Sequence, residues 1–188
     1  MAEIRTIAVI GAGAIGRGIA YASALAGYRT ILEDILPSSL RTAATELREH
    51  LARAADLGTL SKPDALAASS RLEFASTVEH AGREADLVIE AVPEELESKI
   101  EIFTLLDKIC KPDTILVSNS SSFSVTELAS VTYRAVRVAG MRFANPVFTA
   151  KHLEIVRARL TDNETISACT EIGKRMGKEV VVTAELVD

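Results

Sequence analysis

The segment Gly11-Ala12-Gly13-Ala14-Ile15-Gly16 narrows most sharply what this chain can fold into. It follows a short apolar run, Ile4 to Ile10, which has the pattern of a strand buried on both faces, as parallel sheets produce. From Ala14 to Ala26, Ile15, Ile19, Ala22 and Ala26 recur at helical spacing, and Gly27 reads as the stop. Strand, glycine turn and helix in this order give each glycine a duty: a tight turn, close approach of backbone to a pyrophosphate, and close packing of helix on strand. The helix N-terminus adds free N–H groups and the positive end of a dipole. Thr30 to Glu33 reads as the next strand, and Asp34 closes it, where a carboxylate accepts hydrogen bonds from adenosine ribose hydroxyls. Glu33 is a second acid there and no Arg follows Asp34 directly, so a 2′-phosphate is repelled and NAD is favoured over NADP. Arg17 is open to two readings, a phosphate contact or a surface ion pair.

The rest of the chain alternates in the same way. Pro37 opens a helix striped by Leu40, Leu47 and Leu51 and ended near Gly58; Ser61 caps a shorter one, and Leu72 to Phe74 is a strand. Asp86 to Val92 is a stronger strand broken by Pro93, followed by a helix carrying Ile100, Phe103, Leu106 and Ile109. Further strands are expected at Thr114 to Val117, Val136 to Phe143, Leu153 to Val156 and Glu179 to Thr183. Capping boxes are expected at Ser124 with Glu127 and at Thr161 with Glu164, the second opening a helix to about Met176. Strands alternating with helices, without repeat or linker, predict one doubly wound α/β domain.

Composition excludes several other classes. With 188 residues, 48% of them hydrophobic and 25% charged, the chain can bury a core and is neither disordered, collagen-like nor a disulfide scaffold. Its net charge of −5 gives no cationic field for nucleic acid or anionic lipid. Cys110 and Cys169 have no CxxC or Cys/His neighbourhood, so no metal site is expected, and they read as buried thiols of a cytoplasmic protein. The apolar stretch Ile7 to Ala26 contains four glycines and Arg17 and follows Glu3, which argues against a signal peptide or membrane span.

Beyond the glycine loop, the chain carries Arg17-Gly18-Ile19-Ala20, Leu32-Glu33-Asp34, Glu90-Ala91-Val92-Pro93-Glu94 with Lys99, Ser118-Asn119-Ser120-Ser121-Ser122, Asn145-Pro146 and Leu153-Glu154-Ile155-Val156. Together these resemble the nucleotide-binding domain of the L-3-hydroxyacyl-CoA dehydrogenases over essentially the whole length. The resemblance implies a Rossmann-type, mostly parallel domain spanning residues 1–188, with NAD as cofactor and a small-molecule substrate of the acyl-CoA class. It implies that Glu94 and Lys99 line the cofactor site near the nicotinamide half, that Asn145 helps hold the nicotinamide end, and that Ser121 hydrogen-bonds the substrate oxygen. Read without the family, Glu94 and Lys99 are equally a first-turn helix acid and its neighbour, and Ser118 to Ser122 a polar turn before a capped helix.

The departures bear on mechanism. The family carries a catalytic histidine three residues before its Asn-Pro, oriented by the later glutamate; here those positions are Arg142 and Glu154. A guanidinium, with a pKa above ~12, cannot be a general base near neutrality. Arg142 is therefore open to two readings, an ion pair with Glu154 or recognition of a substrate carboxylate or carbonyl. His152, two residues from Glu154 on a predicted strand and so on the same face, reads as a surface imidazole or a relocated base. An NAD(H)-binding module without turnover stays open beside the dehydrogenase. In the family this domain continues into an all-helical domain that forms the dimer and completes the substrate pocket. This chain ends at Leu186-Val187-Asp188, about where that domain would begin. The expectation is a single domain without the helical one, with an apolar surface on the final strands and the helix from about Asp162 that takes a second copy of the chain or a helical partner. The helix after Asp34 has no basic cluster suited to coenzyme A phosphates, so an acyl-CoA substrate rests on the resemblance.

Overall fold

Strand β1 (Thr6–Ile10) is buried throughout, with Ile7 and Val9 entering one core and Ala8 and Ile10 the other. That alternation is why an unbroken apolar run suits a strand covered on both faces. The computed structural model describes residues 3–185 and places β1 inside an eight-stranded sheet. The spatial order is β3 (Leu72–Ala75), β2 (Arg29–Glu33), β1, β4 (Leu87–Glu90), β5 (Ile115–Ser118), β6 (Val138–Phe143), β7 (His152–Arg157) and β8 (Glu179–Ala184). The β6–β7 pair is antiparallel and the other pairs are parallel.

Helices α1 (Ala14–Leu25), α2 (Pro37–Asp56) and α7 (Asn163–Arg175) cover the face of Ile7 and Val9, through Ile19, Leu47 and Cys169 among others. On the other face lie α4 (Val78–Glu84), α5 (Leu96–Ile109) and α6 (Val125–Ser130), which contribute Val78, Phe103 and Leu128. Helix α3 (Lys62–Ser70) pairs with α2 and α1 over a small cluster of Ala24, Leu51, Ala65 and Ala68. The chain winds outward from β1 to β3 and then crosses back to β4 on the opposite side of β1. The C-terminal ends of β1 and β4 therefore border a crevice, where doubly wound sheets bind their ligands.

Boundaries differ from expectation where side chains compete for backbone groups. β4 starts at Leu87, because the Asp86 carboxylate accepts the Arg5 and Thr6 amides and an ammonium hydrogen of Lys111. β1 correspondingly starts at Thr6 rather than Ile4. Val136 lies in a 3-10 turn, Ala135–Arg137, ahead of β6. Helix α4 was not expected; seven residues are too few to display a helical stripe, although Thr77 caps it by accepting from His80 N. The expected box at Thr161 and Glu164 is corrected: Asp162 caps α7 by accepting from Thr165 N, while Thr161 Oγ1 donates to the Val138 carbonyl. At α6, Ser124 accepts from Glu127 N as expected, and Glu185 takes the Val125 and Thr126 amides. Cys110 and Cys169 are buried free thiols, and burial raises them to about 11 and about 12. Among the described residues there is no metal-ligating cluster and no helix long and apolar enough to cross a membrane.

Candidate functional site

The crevice is a cleft of about 710 Å³, running from Asp34 and Leu36 past the glycine loop to Asn119, Ser121 and Asn145. Its floor needs glycine for reasons visible in the packing. Gly11 has φ of 103°, and a Cβ there would stand 2.8 Å from the Ala91 carbonyl oxygen. A Cβ on Gly16 would collide with the Gly11 carbonyl, so α1 sits directly on the loop. At Gly13 nothing lies within 4 Å of an added Cβ, which leaves open space above backbone at the start of α1. Free N–H groups facing such space suit a pyrophosphate.

Asp34 is anchored by its backbone neighbours: Oδ2 accepts from Ala12 N and Oδ1 from Leu36 N, both at 2.9 Å. Each carboxylate oxygen keeps a further lone pair, enough to receive a ribose diol. Glu33 is different. It is 2% exposed, does not line the cleft, and its Oε1 has no partner. Burial first, then the Asp34 and Glu79 charges, raises it to about 7. Near neutrality Glu33 is thus only partly ionised, and the expectation that it helps repel a 2′-phosphate is corrected; Asp34 carries that charge. Arg17 resolves toward the ion pair: Nε lies 2.8 Å from Glu46 Oε2 and an Nη donates to the Ala12 carbonyl, although the residue still borders the cleft.

At the opposite end, Glu94 gathers the serine turn. Its Oε1 accepts from Ser120 Oγ and from the amides of Ser121 and Ser122, the latter two at 3.1 and 3.0 Å. Partial burial works to raise this carboxyl, but the Ser120 hydroxyl, the Ser122 amide and Lys99 outweigh it and hold it at about 2. Lys99 is 1% exposed; its Nζ lies 2.7 Å from Glu90 Oε1, 3.1 Å from Glu94 Oε2 and 3.3 Å from the Val92 carbonyl. The ammonium thus donates to Glu90 and to the Val92 carbonyl and forms a further ion pair with Glu94. Ser121 and Asn145 border the cleft, and Asn119 Oδ1 accepts from Phe143 N, tying the serine turn to the end of β6.

Arg142 and Glu154 face each other in the β6–β7 register. The Arg142 Nε donates to the Ser120 carbonyl at 2.8 Å, and an Nη lies 3.4 Å from Glu154 Oε2. Glu154 Oε1 accepts from Thr183 Oγ1 on β8. The guanidinium is thus engaged on both sides, the ion-pair reading of the sequence. His152 is exposed at the first position of β7 and pairs with Glu179. Glu90, Ser118 and Ser120 have no separate role in the reading of the sequence, yet they hold the turn together; the available signal is a carboxylate ending an otherwise apolar strand, Leu87-Val88-Ile89-Glu90.

A family model described as the NAD binding domain of 3-hydroxyacyl-CoA dehydrogenase matches residues 6–186. The chain belongs to this family. A probable 3-hydroxybutyryl-CoA dehydrogenase of Bacillus subtilis is 40% identical over 179 residues, covering 95% of this chain and 62% of that protein. The mitochondrial hydroxyacyl-coenzyme A dehydrogenase of Sus scrofa is 34% identical, with 95% and 58% covered. A crystal structure of (S)-3-hydroxybutyryl-CoA dehydrogenase from Ralstonia eutropha matches with a TM-score of 0.93 at 32% identity, over 98% of this chain and 65% of that one. The chain spans about three fifths of the length of these curated relatives. NAD is the cofactor of the domain family, and the open backbone at Gly13 together with the anchored Asp34 carboxylate fits it.

Proposed function

We propose that this domain serves a 3-hydroxyacyl-CoA dehydrogenase-like oxidoreductase, holding NAD(H) along the cleft from Asp34 to Asn145, and that its chemistry is slow because Arg142 stands where the family has its catalytic histidine and Glu154 is tied to Arg142 and Thr183. In this reading the amides of Gly11 to Gly16 receive the pyrophosphate and Asp34 the adenosine ribose. Asn145 holds the nicotinamide end and Ser121 hydrogen-bonds the substrate oxygen, while Glu94 and Lys99 fix the serine turn between them. Bound NAD supplies the hydride acceptor. The residues supply orientation, and a 3-hydroxyacyl-CoA or related hydroxy acid is the substrate class that the relatives' names support.

The single observation behind the slow-chemistry reading is the Arg142 guanidinium, anchored on the Ser120 carbonyl and opposite Glu154. Loss of general acid–base catalysis costs about 10²–10⁴-fold. Because both sides of that guanidinium are engaged, a second reading has support: an NAD(H)-binding module without turnover, with a second copy or a helical partner completing an assembly. Val181 and Val182, 48% and 46% exposed on opposite faces of edge strand β8, are the apolar residues such a partner would cover, whereas the exposed face of α7, with Glu164, Ser167, Glu171 and Lys174, is polar, so the expected apolar surface does not extend to that helix. The test is reduction of NAD by a 3-hydroxyacyl-CoA. Wild-type turnover near an ordinary ~10 s⁻¹ refutes the slow-chemistry reading, and NADH binding without turnover in either wild type or Arg142→His favours the module.

A further inference from the structure

Glu90 ends β4 with a charge that is 0% exposed, in a place where an isolated carboxylate would be strongly disfavoured. It is fully answered. Oε1 accepts from Lys99 Nζ at 2.7 Å and from Val92 N at 2.8 Å, and Oε2 accepts from Ser118 Oγ at 2.6 Å. Two routes lead from there to the serine turn. One passes through Lys99 to Glu94, which receives Ser120 Oγ and the Ser121 and Ser122 amides. The other passes through Ser118, whose Oγ accepts from Ser120 N at 3.1 Å. A buried ion pair is weak support for stability, and fixing a geometry is its better-attested use.

We propose that Glu90 is a positioning residue, which through Lys99 and Ser118 sets the Glu94 carboxylate and the Ser120–Ser122 turn at the Ser121–Asn145 end of the cleft. It touches neither cofactor nor substrate. The mechanism is electrostatic: two carboxylates share one buried ammonium, so neither captures it alone. Neutralising Glu90 leaves Lys99 to Glu94, drawing that carboxylate toward the ammonium and away from the serine amides. Asp34, after β2 on the far side of β1 from β4, keeps its own bonds to Ala12 N and Leu36 N. This inference rests on the proposed direction of NAD(H) along the cleft.

The test compares NADH with ADP-ribose, which lacks the nicotinamide, by calorimetric titration of the full chain. In wild type NADH binds more tightly than ADP-ribose. In Glu90→Gln, nearly isosteric but uncharged, ADP-ribose affinity stays within about twofold while NADH affinity falls about tenfold, the scale of one hydrogen bond to a charged group. Ser118→Ala keeps every charge, shows the same selective loss at about twofold to threefold, and decides the matter where Glu90→Gln does not fold. A folded variant in which both affinities fall together, or neither changes, overturns the proposal, as does wild type that binds the two ligands equally. Wild type that binds neither defeats the NAD(H) reading itself.

Discussion

Burial of Glu33 should make the stability of this domain fall as pH rises from about 4.5 through neutrality. Its carboxyl is buried at the end of β2 with an unpartnered oxygen, and burial with the Asp34 and Glu79 charges moves it from 4.5 to about 7. Between those values the folded chain holds a proton that the unfolded chain has released. Stability is therefore fully present below pH 4.5 and is lost as pH rises to about 7 and beyond. At about 1.4 kcal/mol per pH unit, the full loss is about 3 kcal/mol, a large part of a typical domain stability of ~5–15 kcal/mol. Glu33→Gln keeps the shape and removes the titration. Urea unfolding of both proteins without cofactor, at about pH 5 and about pH 8, isolates the effect, because titrations common to both cancel in the difference. The variant should gain about 2–3 kcal/mol on wild type between the two conditions. A difference between the proteins that does not change with pH would refute the assignment, and would mean that Glu33 reaches water or an ionic partner in solution.

Asp34→Ala should weaken NADH binding by about 1–3 kcal/mol, the range for hydrogen bonds to a charged group, with NADPH discrimination reduced; equal titrations of wild type and variant would remove Asp34 from the ribose site. Arg142→His places an imidazole opposite Glu154 and should raise NAD reduction by a 3-hydroxyacyl-CoA above the wild-type rate, by up to about 10²-fold, with NADH affinity little altered. Gly16→Ala puts a methyl group against the Gly11 carbonyl and should cost about 1–3 kcal/mol of stability along with NADH binding, read by thermal unfolding with and without cofactor. Glu94, held at about 2, contributes stability that is present above pH 4.5 and lost as pH falls toward 2; acid unfolding of Glu94→Gln should lack that component.

The order of strands and helices, the glycine loop and the Asp34 site were legible in the sequence because each is a local pattern. An apolar run, a helical stripe or a glycine turn is specified by residues within a few positions of one another, and the steric rules behind them hold in any context. One short helix escaped: α4 has seven residues and no room for a stripe, whereas six-residue α6 was marked by Ser124 and Glu127 at its start. The cap of α7 moved one residue because Thr161 found the Val138 carbonyl, twenty-three positions away.

What the tertiary structure decided was the state of the charges. Glu33 and Asp34 are adjacent in the chain, but strand alternation sends one into the core beside α4 and the other to the cleft. Lys99 lies next to the apolar stripe of α5, and only the approach of Glu90 from β4 and Glu94 from the following loop makes its complete burial tolerable. Arg142 could be assigned opposite Glu154 once the β6–β7 pairing was set, while its bond to the Ser120 carbonyl depended on how the serine turn folds over β6. The free energy of a charge depends on its solvation and on partners brought close from distant parts of the chain. Neither quantity is carried by sequence neighbours, so the chain alone marked Asp34, Glu94 and Asn145 for the cleft, while the packed sheet turned Glu33 away from it and determined which groups remain available to a ligand.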